Sequence, residues 1–431
     1  ESSFEATLAQ LIAPARADYQ NVETIVTEII QNIIRDKNKA LLKYTNDLDR
    51  VSLRPEDLML STDEINRYCS EVPEENKTAL NVAAERIKRF HIKQLPTNDY
   101  WTDETGIEMG WRWQPIERIG IYVPGGLASY PSSVLMNSIP AAIAGAKEIV
   151  MVSPTPSGNL SPMVIYAAAI AGVDKIYRVG GAQAIAALTF GTETILPVDK
   201  IVGPGNSYVA EAKRQVFGRV GIDMIAGPSE VVIIADEKNN PSWISADLLS
   251  QAEHDVNAQS ILITPSLELA EAVQKSLKDQ IGELNRKTIA SESCQKNGAI
   301  IVAKSLEHAV NLSNRFAPEH LQLCVEDPEL ILNEIKNAGS IFLGAWTPEV
   351  LGDYVIGTNH VLPTERSARF ASGLSVLDFM KRTFISKVSP SSIEAVAKPA
   401  SILAREEGLG AHKLSVDLRI NQLKTACDEK K

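Results

Sequence analysis

Short apolar runs that alternate with helical segments constrain the fold of this chain more than any other feature. In the first half, the runs lie at 119–123, 148–152, 175–179 and 200–202, and a run at 231–235 ends this series. A helical segment follows each of the first four runs. Strands separated by helices of about 10 to 15 residues form βαβ units with a parallel sheet. The pattern therefore predicts an α/β fold with a mostly parallel sheet in this half.

The same alternation repeats further along, with apolar runs at 260–264, 299–302, 321–325 and 340–343. We therefore expect two consecutive α/β halves, the first of which ends near residue 229. The helices predicted at about 5–45 and 62–92 have no sheet of their own, and we expect them to join the second half. The residues after 372, with one strand and two helices, look too few to form their own core.

Three glycine-rich turns follow strands of the first half and lead into helices. They are Pro124-Gly125-Gly126, Gly180-Gly181-Ala182-Gln183 and Gly203-Pro204-Gly205-Asn206. Such turns expose backbone N–H groups that suit a phosphate or carboxylate, and parallel sheets bind ligands at the carboxyl ends of their strands. None of them matches GxGxxG, so they predict one ligand crevice without naming the cofactor. Any single one is equally consistent with an ordinary βα turn.

Four of the six histidines have carboxylates, amides or glycines as neighbours, namely His254, His320, His360 and His412. Gln251 and His254 are three apart in the segment 242–254, which is predicted to be helical, so they share a face and can supply two ligands. Asp353 and His360 lie in glycine-containing sequence, which predicts that a loop places them. Nitrogen and oxygen donors without sulfur fit Zn²⁺, with Mn²⁺ or Co²⁺ as substitutes. When each residue is considered alone, His254 is also consistent with a surface histidine, and Asp353 is also consistent with a residue that forms a turn.

Glu319 and His320 stand just before a predicted strand, after Pro318 has ended the preceding helix. A carboxylate and an imidazole together offer a water-activating base and a proton acceptor near neutral pH. At the start of a strand both side chains can face one cleft, with a capped loop as the alternative. Glu407 and His412 flank a Gly-Leu-Gly turn, so both side chains can project from one corner of the molecule. The alternative is that they only cap the two helices.

The composition limits the class of function. The formal net charge of −11 argues against nucleic-acid binding, which needs clustered Lys and Arg. No apolar run approaches the ~20 residues that span a bilayer. The four cysteines are widely spaced without a CxxC pair, which indicates a reducing compartment and argues against a zinc–thiolate site. A chain of 431 residues needs two or more domains.

Taken together, these segments resemble the histidinol dehydrogenase family over about residues 20–425. The longest matches are GIDMIAGPSE at 221–230 and ADLLSQAEHD at 246–255. Shorter matches are YVPGG at 122–126, GGAQA at 180–184, GPGN at 203–206, FAPEH at 316–320 and GDYVIGTNH at 352–360. The resemblance implies oxidation of L-histidinol to L-histidine in two steps through an aldehyde, the final step of histidine biosynthesis. It also implies two NAD⁺ per reaction and one Zn²⁺ per site.

Carried onto matching positions, the resemblance implies a role for individual residues. The zinc ligands would be Gln251, His254, Asp353 and His412. The acid–base pair would be Glu319 and His320. The substrate would contact Ser229, His360 and Glu407 in addition to His320 and the four ligands. NAD⁺ would contact Tyr122, Gln183 and Asn206.

The pattern and the resemblance predict an α/β fold with two consecutive open, mostly parallel, incomplete Rossmann-like domains. Residues 18–121 and 230–372 would form the first domain, with the metal and acid–base residues, and 122–229 the second, NAD-binding domain. Residues 1–17 would form an N-terminal helical arm and 373–431 a small, extended, helical dimerisation tail. The resemblance also implies a homodimer with shared active sites, in the cytoplasm or, in a plant, in the plastid stroma.

A zinc-dependent hydrolase, in which Glu319 activates a metal-bound water, is the main alternative from the residues alone. It predicts hydrolysis without a nicotinamide cofactor. A non-enzymatic metal-binding protein would leave the three glycine turns and the acid–base pair unexplained.

Overall fold

The computed structural model of the chain describes residues 2–13, 19–125 and 130–428. Its contacts form two compact units. The first combines the residues up to Gln94 with Ile116–Phe379, and the second combines Leu95–Pro115 with the residues from Met380 onward. In this described part of the chain, no helix is long and apolar enough to cross a membrane. Gly126 of the first predicted turn, and residues 1 and 14–17 of the predicted N-terminal arm, lie outside the described residues.

The helices and strands follow one another in the order expected of repeated βα units. The α-helices are α1 (Ser2–Ile12), α2 (Tyr19–Asp49), α3 (Thr62–Glu71), α4 (Glu74–Ile92), α5 (Pro131–Ala144), α6 (Pro162–Ile170), α7 (Gly181–Phe190), α8 (Ser207–Val216), α9 (Pro241–Ala252), α10 (Leu267–Ile281), α11 (Lys287–Asn297), α12 (Leu306–Phe316), α13 (Pro328–Leu332), α14 (Glu349–Tyr354), α15 (Glu394–Glu406) and α16 (Gly410–Asp428). The strands are β1 (Asp99–Thr102), β2 (Glu108–Pro115), β3 (Arg118–Tyr122), β4 (Glu148–Val152), β5 (Lys175–Tyr177), β6 (Lys200–Val202), β7 (Gly221–Ile222), β8 (Glu230–Ala235), β9 (Gln259–Thr264), β10 (Ala299–Val302), β11 (His320–Cys324), β12 (Ser340–Leu343) and β13 (Met380–Lys387).

The first unit contains two five-stranded sheets with the same topology. Their strand orders are β5-β4-β3-β6-β7 and β10-β9-β8-β11-β12, and every pairing in both is parallel. Each order equals five of the six strands of a doubly wound dinucleotide-binding sheet. The prediction of two consecutive open, parallel, incomplete Rossmann-like sheets is therefore confirmed.

Both faces of the second sheet are covered, as a parallel sheet requires. Val231 and Ile233 of β8 pack with Ile244 and Leu248 of α9 on one face. Val232 and Ile234 point to the opposite face, where Leu8 of α1 joins their cluster. The alternation follows from the two-residue period of a strand. A continuous apolar run such as 231–235 is the sequence sign of this double burial.

Helix α2 packs on the first sheet, through buried side chains such as Val26, Ile33 and Leu41 that join the cluster of α7 and α8. For α2 this differs from our expectation that the N-terminal helices join the second half. The sequence shows only that α2 has one apolar face, and tertiary packing selects the sheet that this face covers. The backbone of α2 kinks at Lys37, which has a φ of 49°. The predicted domain boundaries otherwise stay predictions.

The second unit has a small antiparallel sheet in the order β1-β2-β13, together with the helices α15 and α16. In this sheet the guanidinium of Arg382 lies 5.1–5.9 Å from the ring centres of Trp111, Trp113 and Phe384. The sequence predicted only the C-terminal strand, at 384–388. It missed β1 and β2 because their residues are mostly exposed or half-buried and form no continuous apolar run.

Candidate active site

Glu319 and His320 lie where α12 ends and β11 begins. Ala317 takes the left-handed conformation with a φ of 49°, which turns the chain out of the helix before Pro318. β11 then starts at His320 in the middle of the second sheet, between β8 and β12. Both side chains are buried, with 5% of Glu319 and 4% of His320 exposed. Glu319 and His320 therefore lie at the start of a strand rather than in a capped loop. This places them at the edge of the second sheet where its strands begin.

The backbone of Glu230, the first residue of β8, contacts both members of this pair. Its N–H donates to Oε2 of Glu319 across 2.9 Å, and its carbonyl oxygen lies 3.1 Å from Nδ1 of His320. Since a carbonyl oxygen only accepts, Nδ1 of His320 carries a proton. The two side chains are 3.6 Å apart, from Glu319 Oε2 to His320 Nδ1. This arrangement leaves Nε2 of His320 as the nitrogen that can accept a proton.

Helix α14 brings two further carboxylates to His320. Glu349 and Asp353 are one turn apart, with Glu349 Oε2 at 3.8 Å from Nδ1 and Asp353 Oδ1 at 3.6 Å from Nε2. Burial by itself lowers the pKa of His320. The carboxylates of Glu319, Glu349 and Asp353 outweigh burial and hold that pKa well above the usual 6.5. Burial raises the pKa of Glu319 to about 7 and that of Glu349 to about 8, although His320 lowers both.

Gln251 and His254 lie at the carboxyl end of α9. The helix ends at Ala252, two residues earlier than predicted, and His254 follows in a turn where its N–H donates to the carbonyl of Gln251 across 3.2 Å. Gln251 is buried with 1% exposed, whereas His254 is exposed. The side-chain nitrogen of Gln251 has no hydrogen-bond partner. Turning over this planar amide group would exchange its two outer atoms, so that the side-chain oxygen would take the place of the nitrogen.

His360 and Asp353 are tied together by the backbone. Nδ1 of His360 lies 3.0 Å from the carbonyl oxygen of Asp353. The buried amide of the neighbouring Asn359 donates to the carbonyl of Met136 across 2.7 Å and anchors this loop to α5. A loop therefore places His360, as predicted. For Asp353 that expectation was wrong: it lies in α14, because the glycine at 352 is accommodated inside a helical turn.

The glycine turns meet at the carboxyl edge of the first sheet. Tyr122 ends β3 and is buried, and its hydroxyl oxygen accepts the N–H of Gly181 across 3.1 Å. Burial raises the pKa of this phenol to about 12, so it remains neutral. Gln183 lies in the first turn of α7 with 2% exposed, and its side-chain oxygen has no hydrogen-bond partner. Asn206 caps α8 by accepting the N–H groups of Tyr208 and Val209, both across 3.1 Å.

A similar sequence and a similar fold occur in known proteins. The family model described as Histidinol dehydrogenase matches residues 13–420. The chain is 54% identical over 420 residues to histidinol dehydrogenase of Cereibacter sphaeroides, covering 97% of each chain. It is 52% identical over 423 residues to the enzyme of Ruegeria pomeroyi, covering 98% of each. The chain belongs to the histidinol dehydrogenase family. A crystal structure of histidinol dehydrogenase from Elizabethkingia anophelis matches it with a TM-score of 0.93 at 40% identity, covering 97% of this chain and 96% of that one.

The histidinol dehydrogenase fold of this chain distributes the predicted site residues over both units. The first unit carries Ser229, Gln251, His254, Glu319, His320, Asp353 and His360, together with Tyr122, Gln183 and Asn206. Glu407 and His412 belong to the second unit, where Glu407 is the C-cap of α15 and His412 lies in the first turn of α16. Both are exposed. Among the described residues, no three His, Cys, Asp or Glu side chains are grouped so that they could hold a metal ion.

Two carboxylates beside the acid–base pair were missed in the sequence. Glu349 is only 1% exposed, and the hydroxyl of Ser250 donates to its Oε1 across 3.2 Å. Its spacing of four residues from Asp353 would have revealed it, had the helix α14 been predicted. Glu230 ends the GIDMIAGPSE segment, and its carboxylate accepts the N–H groups of Glu319 and Glu365 across 3.3 and 2.8 Å. No local pattern indicates that role, because it depends on how β8 and β11 pair.

Proposed function

We propose that the chain catalyses the two-step oxidation of L-histidinol to L-histidine through the aldehyde, with two NAD⁺ and one Zn²⁺ per site. The observation that carries this proposal is the buried Glu319–His320 pair, 3.6 Å apart, in a member of the histidinol dehydrogenase family. A dehydrogenase needs a base for the hydroxyl proton, and conversion of an aldehyde to an acid needs an activated water. The pair offers one group for each task.

In this proposal His320 is the base of both oxidation steps. Its Nδ1 proton is held by the carbonyl of Glu230, so Nε2 receives the hydroxyl proton of the substrate. The imidazolium that forms lies beside the carboxylates of Glu319, Glu349 and Asp353, each within 3.8 Å of a ring nitrogen. Opposite charges at this distance in a buried site stabilise the charged ring.

Glu319 is assigned to the second step, in which its carboxylate takes a proton from the water that attacks the aldehyde. Burial raises its pKa to about 7, well above that of an exposed glutamate, so the carboxylate is a stronger base. The backbone N–H of Glu230 donates to Oε2 and holds the carboxylate in place. Because Glu319 has no task in removal of the alcohol proton, the two steps depend on it differently.

Gln251, His254 and Asp353 are proposed as zinc ligands, with His412 as the fourth. The donors fit this metal: an amide, an imidazole and a carboxylate supply nitrogen and oxygen without sulfur. The buried side-chain nitrogen of Gln251 has no hydrogen-bond partner, and rotating the amide would put an oxygen ligand for a cation at this position. When bound, Zn²⁺ would supply a Lewis-acidic centre for nitrogen and oxygen donors. Ser229, His360 and Glu407 are proposed as further substrate contacts.

Tyr122, Gln183 and Asn206 are proposed to hold NAD⁺, which supplies the hydride acceptor for both steps. They fit a dinucleotide because they lie at the carboxyl ends of β3, β5 and β6, and β3 and β6 flank the point where the strand order reverses. The unpartnered oxygen of the buried Gln183 is an acceptor for a donor group of the cofactor. This assigns residues 122–229 to the proposed cofactor domain.

His412 and Glu407 are proposed to complete the active site of a partner subunit in a homodimer. Support comes from the apolar side chains that the second unit leaves exposed, such as Phe384, Leu403 and Leu418 with 70%, 62% and 58%. Exposed apolar surface of this kind indicates a protein interface. We propose a cytoplasmic enzyme, or a plastid stromal one if its source is a plant. The bacterial origin of the curated relatives supports the former.

The test is NADH formation on addition of L-histidinol to the zinc-loaded chain, followed by absorbance, with histidine measured as the product. Two NADH per histidine are expected. The zinc hydrolase alternative predicts no NADH with any alcohol. A product that stops at the aldehyde would overturn the assignment of the second step.

A further inference from the structure

A buried ion pair holds the glycine turn between β6 and α8. Lys213 of α8 and Asp223, which follows β7, form this pair with only 3% and 1% of their side chains exposed. Nζ of Lys213 donates to the carbonyl oxygen of Gly203 across 3.0 Å. The N–H of Gly203 donates to Oδ2 of Asp223 across 2.8 Å. One ion pair therefore satisfies both polar groups of a single glycine in the turn.

Gly203 itself is pressed against the end of β3. Its φ is +108°, and a Cβ at this position would lie 2.1 Å from the carbonyl oxygen of Tyr122. The turn can take this path only with glycine, and the Lys213–Asp223 pair fixes its peptide groups there. Asn206, three residues later, caps α8 from the same turn.

The stability of the folded protein does not by itself explain a buried ion pair such as Lys213–Asp223. Removing two charges from water is costly, and a well-packed apolar pair of similar volume is often at least as stabilising. The bonds to Gly203 suggest a different use, because they connect the end of β6 with α8 and with the segment after β7.

We propose that Lys213 and Asp223 are positioning residues that fix the β6–α8 turn in the conformation that receives NAD⁺. This inference rests on the proposed function, since it concerns the same cofactor site. Neither residue is assigned to touch the cofactor. Their effect passes through Gly203 to Asn206, so NAD⁺ binding should depend on the pair while zinc binding and the Glu319–His320 pair should not.

The test compares Lys213→Met, Asp223→Asn and the double variant in the full-length, zinc-loaded chain. Each single variant leaves one buried charge unpaired and should lower Tm strongly. The double variant removes both charges and should recover most of the Tm. We expect its NAD⁺ dissociation constant, measured by titration calorimetry, to stay weaker by about tenfold or more. Its zinc content and its KM for L-histidinol should equal those of the wild type.

The matched control is Lys238→Met with Glu326→Gln, which removes an exposed ion pair of the second sheet, with 59% and 63% of the side chains exposed. It should change neither Tm nor NAD⁺ affinity.

Wild-type NAD⁺ affinity in the Lys213→Met/Asp223→Asn variant would overturn the positioning role. If that variant does not fold, Lys213→Arg keeps the charge but shifts the donor. Unchanged NAD⁺ affinity with unchanged Tm in Lys213→Arg would likewise overturn it. Absence of NAD⁺ binding by the wild type would overturn the proposed function itself.

Discussion

The imidazole of His320 donates its Nδ1 proton to the backbone carbonyl oxygen of Glu230 across 3.1 Å. A side-chain substitution at 230 cannot remove this bond, because the acceptor belongs to the backbone. The bond fixes which ring nitrogen carries the proton and points Nε2 toward Asp353, 3.6 Å away. The pairing of β8 with β11 therefore sets the proton-accepting atom of the proposed base.

Replacing Glu319 with Gln should separate the two half-reactions. Conversion of added histidinal should fall by about 10²- to 10⁴-fold, the usual contribution of a general base. Oxidation of the alcohol in a single turnover should fall far less, because His320 is retained. Rapid-mixing measurement of NADH from each substrate checks this. Glu326→Gln, an exposed glutamate, serves as the control. Equal losses in both half-reactions would refute the division of labour.

His320→Asn should instead impair both half-reactions, by about 10²- to 10⁴-fold each. Asparagine retains a donor near the carbonyl of Glu230 but has no basic nitrogen. Zinc content should not change, since His320 is not a proposed ligand. Steady-state rates with histidinol and with histidinal provide the measurement, and His308→Asn, in α12, is the matched control. Retention of either half-reaction at the wild-type rate would exclude His320 as its base.

Glu349→Gln should move the pH profile toward lower pH. His320 accepts a proton only in its neutral form, and its pKa is held well above 6.5 by Glu319, Glu349 and Asp353 against the effect of burial. The rate should therefore rise with pH through a value above 6.5. The carboxylate of Glu349 favours the imidazolium form of His320, so removing this charge lowers the pKa of His320. The measurement is kcat/KM against pH for both proteins, and coincident profiles would contradict this account.

His412→Asn should lose zinc, as metal analysis of the purified variant would show, whereas His308→Asn should keep it. If the second unit completes the site of the partner, mixed dimers of His412→Asn with Glu319→Gln contain one intact site each. Random reassociation should then recover about a quarter of the wild-type rate of histidine formation, because half of the dimers are mixed and one of their two sites works. Full zinc content in His412→Asn removes this residue from the ligand set. Failure of mixing to restore activity argues against shared sites.

Local sequence patterns predicted the two sheets and brought the proposed acid–base pair together. Apolar runs such as 231–235 predict buried parallel strands because a strand covered on both faces has no polar side. Glu319 and His320 are neighbours in the chain, so their proximity required only a strand start after Pro318. Gln183 and Asn206 stand in glycine turns, which are also local, and the family resemblance implied a role in NAD⁺ binding for them and for Tyr122.

Tertiary structure decided what surrounds these residues. Glu230 contacts Glu319 only because β8 pairs with β11, 89 residues further along the chain. Glu349 lies near His320 because both belong to elements that pack together. The short helix α14, which carries Glu349, was not predicted from the sequence because it contains a glycine. Lys213 and Asp223 meet at Gly203 because α8 and β7 fold back on β6. Such contacts depend on which elements pack together, and side chains far apart in the chain carry no local sign of that choice.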